Sequence, residues 1–308
     1  MYTVSRSLLF ALFATVVSTS LAQGPLEPPG APAPTMITLQ QIEPRTPITN
    51  LPYIISNPGS YYLAGNLSST GHGVWVQANN VTLDLMGFRI EGSGLQSYHG
   101  VYILNTNNQR LQNVVVQNGI ITQFDHGILA SQIQGAWIEN IHVWTNMGNG
   151  IFFPSGSFSG GNMITRCVAG DNGQHGIYIV NEGSGNVGNT ISHCSIVGNQ
   201  YGVTVAIGQG NVITHNTISR NRSHGLWLFQ AASTRVENNH VTSQTAPVSY
   251  GIISQNPFAS NFIFSNTSAG NTTNYVLGAL DVYGPIVTNT GALAVTGAAS
   301  HVRANFSR

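Results

Sequence analysis

Lysine is absent from the 308 residues, and charged side chains of every kind make up only 6% of the chain. Ten arginines stand against ten acidic residues, so the formal net charge is zero. Without a basic run to neutralise successive phosphates, the sequence argues against a nucleic-acid-binding surface. A chain so poor in charge yet 42% apolar is not disordered, since disorder needs low hydrophobicity together with high net charge. Two cysteines are too few for a disulfide-rich scaffold. No Cys or His spacing matches a zinc site and the scattered aspartates make no calcium loop, so neither a metal nor any other cofactor is expected. Apolar runs all fall short of the ~20 residues that span a bilayer, which excludes a membrane-spanning helix.

At the N-terminus, Arg6 precedes an apolar stretch from Leu8 to Val17, and Ser20-Leu21-Ala22 places small residues where a signal peptidase cuts. Residues 1–22 therefore read as a signal peptide, and the mature chain as secreted: extracellular, periplasmic or at the cell surface. The segment 23–36, rich in proline, reads as an extended linker that cannot pair as a strand. The remainder, 37–308, reads as one domain.

Glycine is abundant, at 35 residues, and asparagine is over-used, which suits many tight turns. Eight glycines, Gly73, Gly100, Gly127, Gly150, Gly176, Gly202, Gly225 and Gly251, recur at spacings of 27, 27, 23, 26, 26, 23 and 26. Each is followed by a triplet such as VWV, VYI, IFF, IYI or LWL, short and rich in β-branched and aromatic residues, which reads as a strand. Asparagines fall into columns at the same period: Asn162, Asn189 and Asn211 in one, Asn216, Asn239 and Asn266 in a second, Asn146, Asn172, Asn199 and Asn221 in a third. A solenoid requires such a period, because each coil buries its apolar face only against its neighbours. Three strands per coil separated by Gly/Asn turns give an all-β, single-stranded right-handed parallel β-helix of about eight coils, spanning about 68–278. Segments 37–67 and 279–308 are expected as caps. The leucine-rich alternative fails, since LxxLxLxxN is missing along with any helical periodicity.

The Asn-x-x-Gly-apolar-x-apolar coil, as in DNGQHGIYI at 171–179 and RNRSHGLWL at 220–228, resembles the parallel β-helix repeats of the pectin-lyase-like superfamily. The flanking pieces GPLEPPGAPAPTM, QIEPRTPI and PGSYYLAGNL resemble those of bacterial secreted proteins described as right-handed parallel β-helix repeat proteins. The resemblance covers nearly the whole mature chain and implies fold and export. It supplies no catalytic motif to carry over. By analogy of fold, it points to a polysaccharide engaged on a lateral face, with a lyase or C5-epimerase acting on uronate polymers as the enzymatic form. The rival is a non-catalytic surface, adhesion or carbohydrate-binding protein on a rigid rod.

The residue before each repeat glycine forms a column: His72, His99, His126, Asn149, His175, Tyr201, His224 and Tyr250. Facing solvent, it would present imidazole and phenol groups one strand spacing apart, able to stack on sugars. Stacking at a bend is the structural alternative. One position before the third asparagine column, Thr145, Asp171, Gly198 and Arg220 should align, placing Asp171 and Arg220 two coils apart across a glycine. That notch, with Arg166, Arg222, His175, Tyr201 and His224 beside it, holds a cation to neutralise a uronate carboxylate and bases to take the C5 proton. His175, Tyr201, Arg220 and His224 are the expected catalytic residues, and Asp171, Arg166, Arg222 and His126 the substrate-binding ones. The clustered aspartates of polygalacturonases and the carboxylates of calcium pectate lyases are missing. Phe124-Asp125-His126 matches only part of the Asp-Pro-His-Asp segment of alginate epimerases. Cys167 and Cys194 share a column of neighbouring coils, near enough for a disulfide, or equally for two stacked thiols replacing asparagines.

Overall fold

The computed structural model describes residues 44–95, 97–107, 109–154, 160–180, 188–256, 260–288 and 302–308. The segments read as signal peptide and proline-rich linker lie outside the described residues, as does the 289–301 part of the segment expected as a C-terminal cap. All regular structure among the described residues is β, and every pairing between strands is parallel, in a right-handed solenoid.

Each coil contributes one strand to a ten-stranded sheet, here the glycine face, running from Tyr53–Ile55 through Val74–Val76 and on to Tyr250–Gln255 and Thr273–Val276. The chain then crosses two further faces joined at a sharp corner, as in Met163–Thr165 followed by Val168–Gly170. Residues at that corner hold positive φ, including Arg166 at 53° and His193 at 55°. Such a φ in L-residues is tolerated because the flanking strands fix the bend from both sides.

Side chains alternate as the strand period demands. In Val74-Trp75-Val76 the two valines are fully buried and Trp75 points out, and Ile177-Tyr178-Ile179 repeats the pattern. Isoleucines stack in files through the core, for instance Ile138, Ile164, Ile191 and Ile213. The repeat glycines are demanded by close approach: a β-carbon on Gly127 would lie 2.6 Å from the carbonyl oxygen of Gly150 one coil above.

Buried asparagines satisfy the corners. Asn146 donates through Nδ2 to Asn172 Oδ1 at 2.9 Å, Asn172 to Asn199 at 2.9 Å, and Asn199 to Asn221 at 3.0 Å. Asn216, Asn239 and Asn266 do the same at 3.0 Å per step. Where Thr234 replaces asparagine, the ladder breaks and Asn211 Nδ2 is left without a partner. Cys167 and Cys194 are free, buried thiols in the second file, donating to the carbonyls of Thr165 and Ser192. Of the two alternatives, the structure contains the stacked thiols.

The segment expected as an N-terminal cap already makes a coil. Tyr53–Ile55 pairs in register with Val74–Val76, and Gly59–Leu63 with Val81–Asp84. Its period was hidden because its turns use proline and serine in place of the repeat glycine. At the other end, Asn305–Ser307 closes the stack on Thr267–Ala269.

Candidate functional site

The outer surface of the glycine face carries two columns of rings. One is the pre-glycine column, whose registers His99 to His126, His175 to Tyr201 and His224 to Tyr250 place its members directly above one another. The other is three residues on, at the outward centre of five of the strands: Trp75, Tyr102, Phe152, Tyr178 and Trp227. The repeat glycine between them turns inward, where a β-carbon on Gly100 would meet Ile121 and the Gly127 carbonyl.

Their rings form an unbroken chain of contacts. His72 stacks on Tyr102 at 4.8 Å between centroids, and His99 on His126 at 5.2 Å. His126 meets Phe152 edge-on at 5.1 Å, and Phe152 stacks on Tyr178 at 5.2 Å. His175 lies between Tyr178 at 4.2 Å and Tyr201 at 4.7 Å, and Tyr201 leads through His224 to Trp227 and Tyr250. From His72 to Tyr250 the strip spans eight coils, about 34 Å at ~4.8 Å per strand. Half-burial of its rings leaves edges and faces open to solvent.

The strip is electrically neutral near pH 7. Burial lowers His72, His126 and His224 below the usual histidine value. His99 falls to about 4 through burial and the neighbouring His126 and His72, and His175 to about 4 through burial alone. His175 Nδ1 also lies 2.9 Å from Thr204 Oγ1, a threonine 2% exposed that replaces the aromatic of its coil.

Backbone amides reach the column from the coil above. His99 N–H donates to His72 Nδ1 at 3.1 Å, Asn149 N–H to His126 Nδ1 at 3.0 Å, and His175 N–H to Asn149 Oδ1 at 3.0 Å. His99, Asp125 and His126 bring potential ligand atoms within 4.8 Å of one another. The hydrogen bonding does not suit a metal ion: with Nδ1 of His126 accepting an amide proton, the neutral ring carries its own proton on Nε2, where a ligand lone pair would be needed.

The expected notch is divided. Asp171 at φ 48°, Gly198 at 74° and Arg220 at 53° do occupy one corner column, and a β-carbon on Gly198 would collide with Asp171 Oδ1. Arg220 and Arg222 are exposed there, on the edge of the strip that carries His175, Tyr201 and His224. Among the described residues neither arginine makes an ion pair. Arg166 does not belong to this group. It sits at the opposite end of the third face, paired with Glu139 of the coil below, because its column is the corner before Val168–Gly170 and not the one after. His126 lies in the lower half of the strip, four coils below His224.

Sequence reasoning missed the second ring column. Its signal was the middle letter of VWV, VYI, IFF, IYI and LWL, which strand alternation turns outward whenever both neighbours are core.

Residues 64–208 match the family model described as right handed beta helix region, and residues 157–279 match that of periplasmic copper-binding protein (NosD). Among curated proteins no sequence matches this chain. The Dettilon tailspike protein is similar in structure, with 13% identity and a TM-score of 0.53 over 85% of this chain and 61% of that one. Tailspike protein 2 of bacteriophage CBA120, in its enzymatically active domain, gives 12% identity and 0.55 over 79% and 43%. A mutant of the periplasmic alginate epimerase AlgG gives 13% identity and 0.51 over 73% and 70%. The chain thus spans less than two thirds of either tailspike, and identities this low establish a shared fold alone.

Proposed function

The chain is a right-handed parallel β-helix protein of the pectin-lyase-like type, and on that premise we propose that its glycine face binds an acidic polysaccharide laid along the coil axis. The carrying observation is the unbroken ring strip from His72 to Tyr250. Rings present apolar faces to the C–H surface of sugars, while imidazole and phenol edges hydrogen-bond their hydroxyls. Arg220 and Arg222, unpaired among the described residues, supply positive charge along one edge, which favours a chain bearing carboxylates. One enzyme among its structural neighbours, an alginate epimerase, is periplasmic by name. That agrees with the export signal read in residues 1–22, and the protein is proposed to act outside the cytoplasm.

A second reading makes the upper strip catalytic, as a lyase or C5-epimerase. Its specific support is the meeting of Arg220 and Arg222 with His175, Tyr201 and His224 on adjoining coils. Against it, burial that takes His175 to about 4 leaves that ring a weak base at neutral pH. Binding is therefore the function the geometry favours.

The test is calorimetric titration of the purified protein with alginate, pectate, glycosaminoglycans and a neutral glucan, with ultraviolet absorbance followed for unsaturated product. Binding of an acidic polymer that Trp227→Ala weakens supports the reading. An absorbance rise would add the lyase. Silence with all polymers would leave the rigid rod without a sugar partner and sink the proposal.

A further inference from the structure

Two rings in the strip have their protons fixed by the backbone. His72 Nδ1 accepts the amide of His99 at 3.1 Å and His126 Nδ1 accepts that of Asn149 at 3.0 Å. An imidazole whose Nδ1 accepts a hydrogen bond carries its single proton on Nε2 when neutral. Neither Nε2 is buried without a partner, and neither finds one among the described residues, so both N–H groups reach solvent on the face of the strip. His99, between them, breaks the pattern, since its Nδ1 is buried and accepts nothing. His72 and His126 are thus a matched pair two coils apart, about 9.6 Å at ~4.8 Å per strand.

We infer that His72 and His126 are specificity-determining donors whose Nε2–H groups each bond a hydroxyl, ring or carboxylate oxygen on alternate sugars of an extended chain. The inference rests on the strip being a polysaccharide site and goes further by naming the chain's conformation. Two coils match the disaccharide repeat of a polymer with two-fold extended geometry, in which every second sugar shows the same edge. A polymer coiled more tightly would bring only one acceptor into range. Between the donors, Trp75 and Tyr102, stacked on each other at 5.2 Å, turn apolar ring edges outward to the intervening sugar.

The column itself supplies the discriminating substitution. Asn149 Oδ1 already accepts the amide of the next coil in the manner of a histidine Nδ1. His72→Asn and His126→Asn therefore keep the bond that holds the coil and delete the outward Nε2–H. Titrations would use a length series of alginate oligosaccharides, with thermal unfolding as the control. The expected result is about three- to tenfold weaker binding for each variant, the loss of one hydrogen bond, with an unchanged melting temperature. Wild-type affinity should also rise in steps of two sugars. Unchanged affinity in both Asn variants, while Trp75→Ala weakens binding, overturns the donor pair and spares the strip. If wild-type protein binds no oligomer, the polysaccharide reading falls first and the donor pair with it.

Discussion

The side-chain amide of Asn172 lies 2.9 Å from Asn199 Oδ1 in a corner from which solvent is excluded, both residues being 0% exposed. Asn172 also donates to the Val143 carbonyl at 3.2 Å and accepts from Asn146 through both its backbone and side chain. Asn172→Ala would strand several buried partners at once, each costing about 1–3 kcal/mol. The expected loss is at least about 3 kcal/mol, read from the urea midpoint. A loss below about 1 kcal/mol would mean that the ladder contributes little to holding the coils.

Stability should fall in acid for a reason located in the strip. His99 and His175 sit near 4 in the folded state against 6.5 when unfolded, so between these values the unfolded chain binds more protons. Their contribution is fully present above about 6.5 and is lost as pH falls toward 4. Each ring contributes on the order of 3 kcal/mol at most. Urea midpoints measured across this window should decline, and less steeply in His175→Gln. A flat wild-type profile would contradict the assignment.

Charge at the strip edge should act only on charged polymers. Replacing Arg220 and Arg222 by Gln is expected to weaken alginate binding roughly three- to tenfold, as befits exposed pairs, and to flatten its salt dependence. Neutral glucan binding should not change. Equal loss for both polymers would place these residues in a structural role.

The two thiols give a simple count. Cys167 and Cys194 are buried at 1% and 3% exposure, and burial raises the Cys167 thiol well above its ordinary range. Native protein should resist a thiol reagent, and denaturation without reductant should release two reactive groups. None released would mean that the pair is bridged.

The two-dozen-residue period, the asparagine files and the repeat glycines were legible because a solenoid imposes its neighbours at a fixed distance along the chain, so columns in the sequence are columns in space. Column composition therefore exposed the pre-glycine rings, and the corner shared by Asp171, Gly198 and Arg220, from the sequence alone. What lies beside a column is not encoded by period. Arg166 and Arg220 each begin an equally good corner, and only the closed coil puts the first against Glu139 and the second along the strip. The convergence of Trp75, Tyr102 and Tyr178 on the histidines, and the backbone amides that fix the protons of His72 and His126, depend on how each coil stacks on the next. Such lateral contacts are set by how the chain turns within a coil, a three-dimensional property that a one-dimensional repeat leaves open.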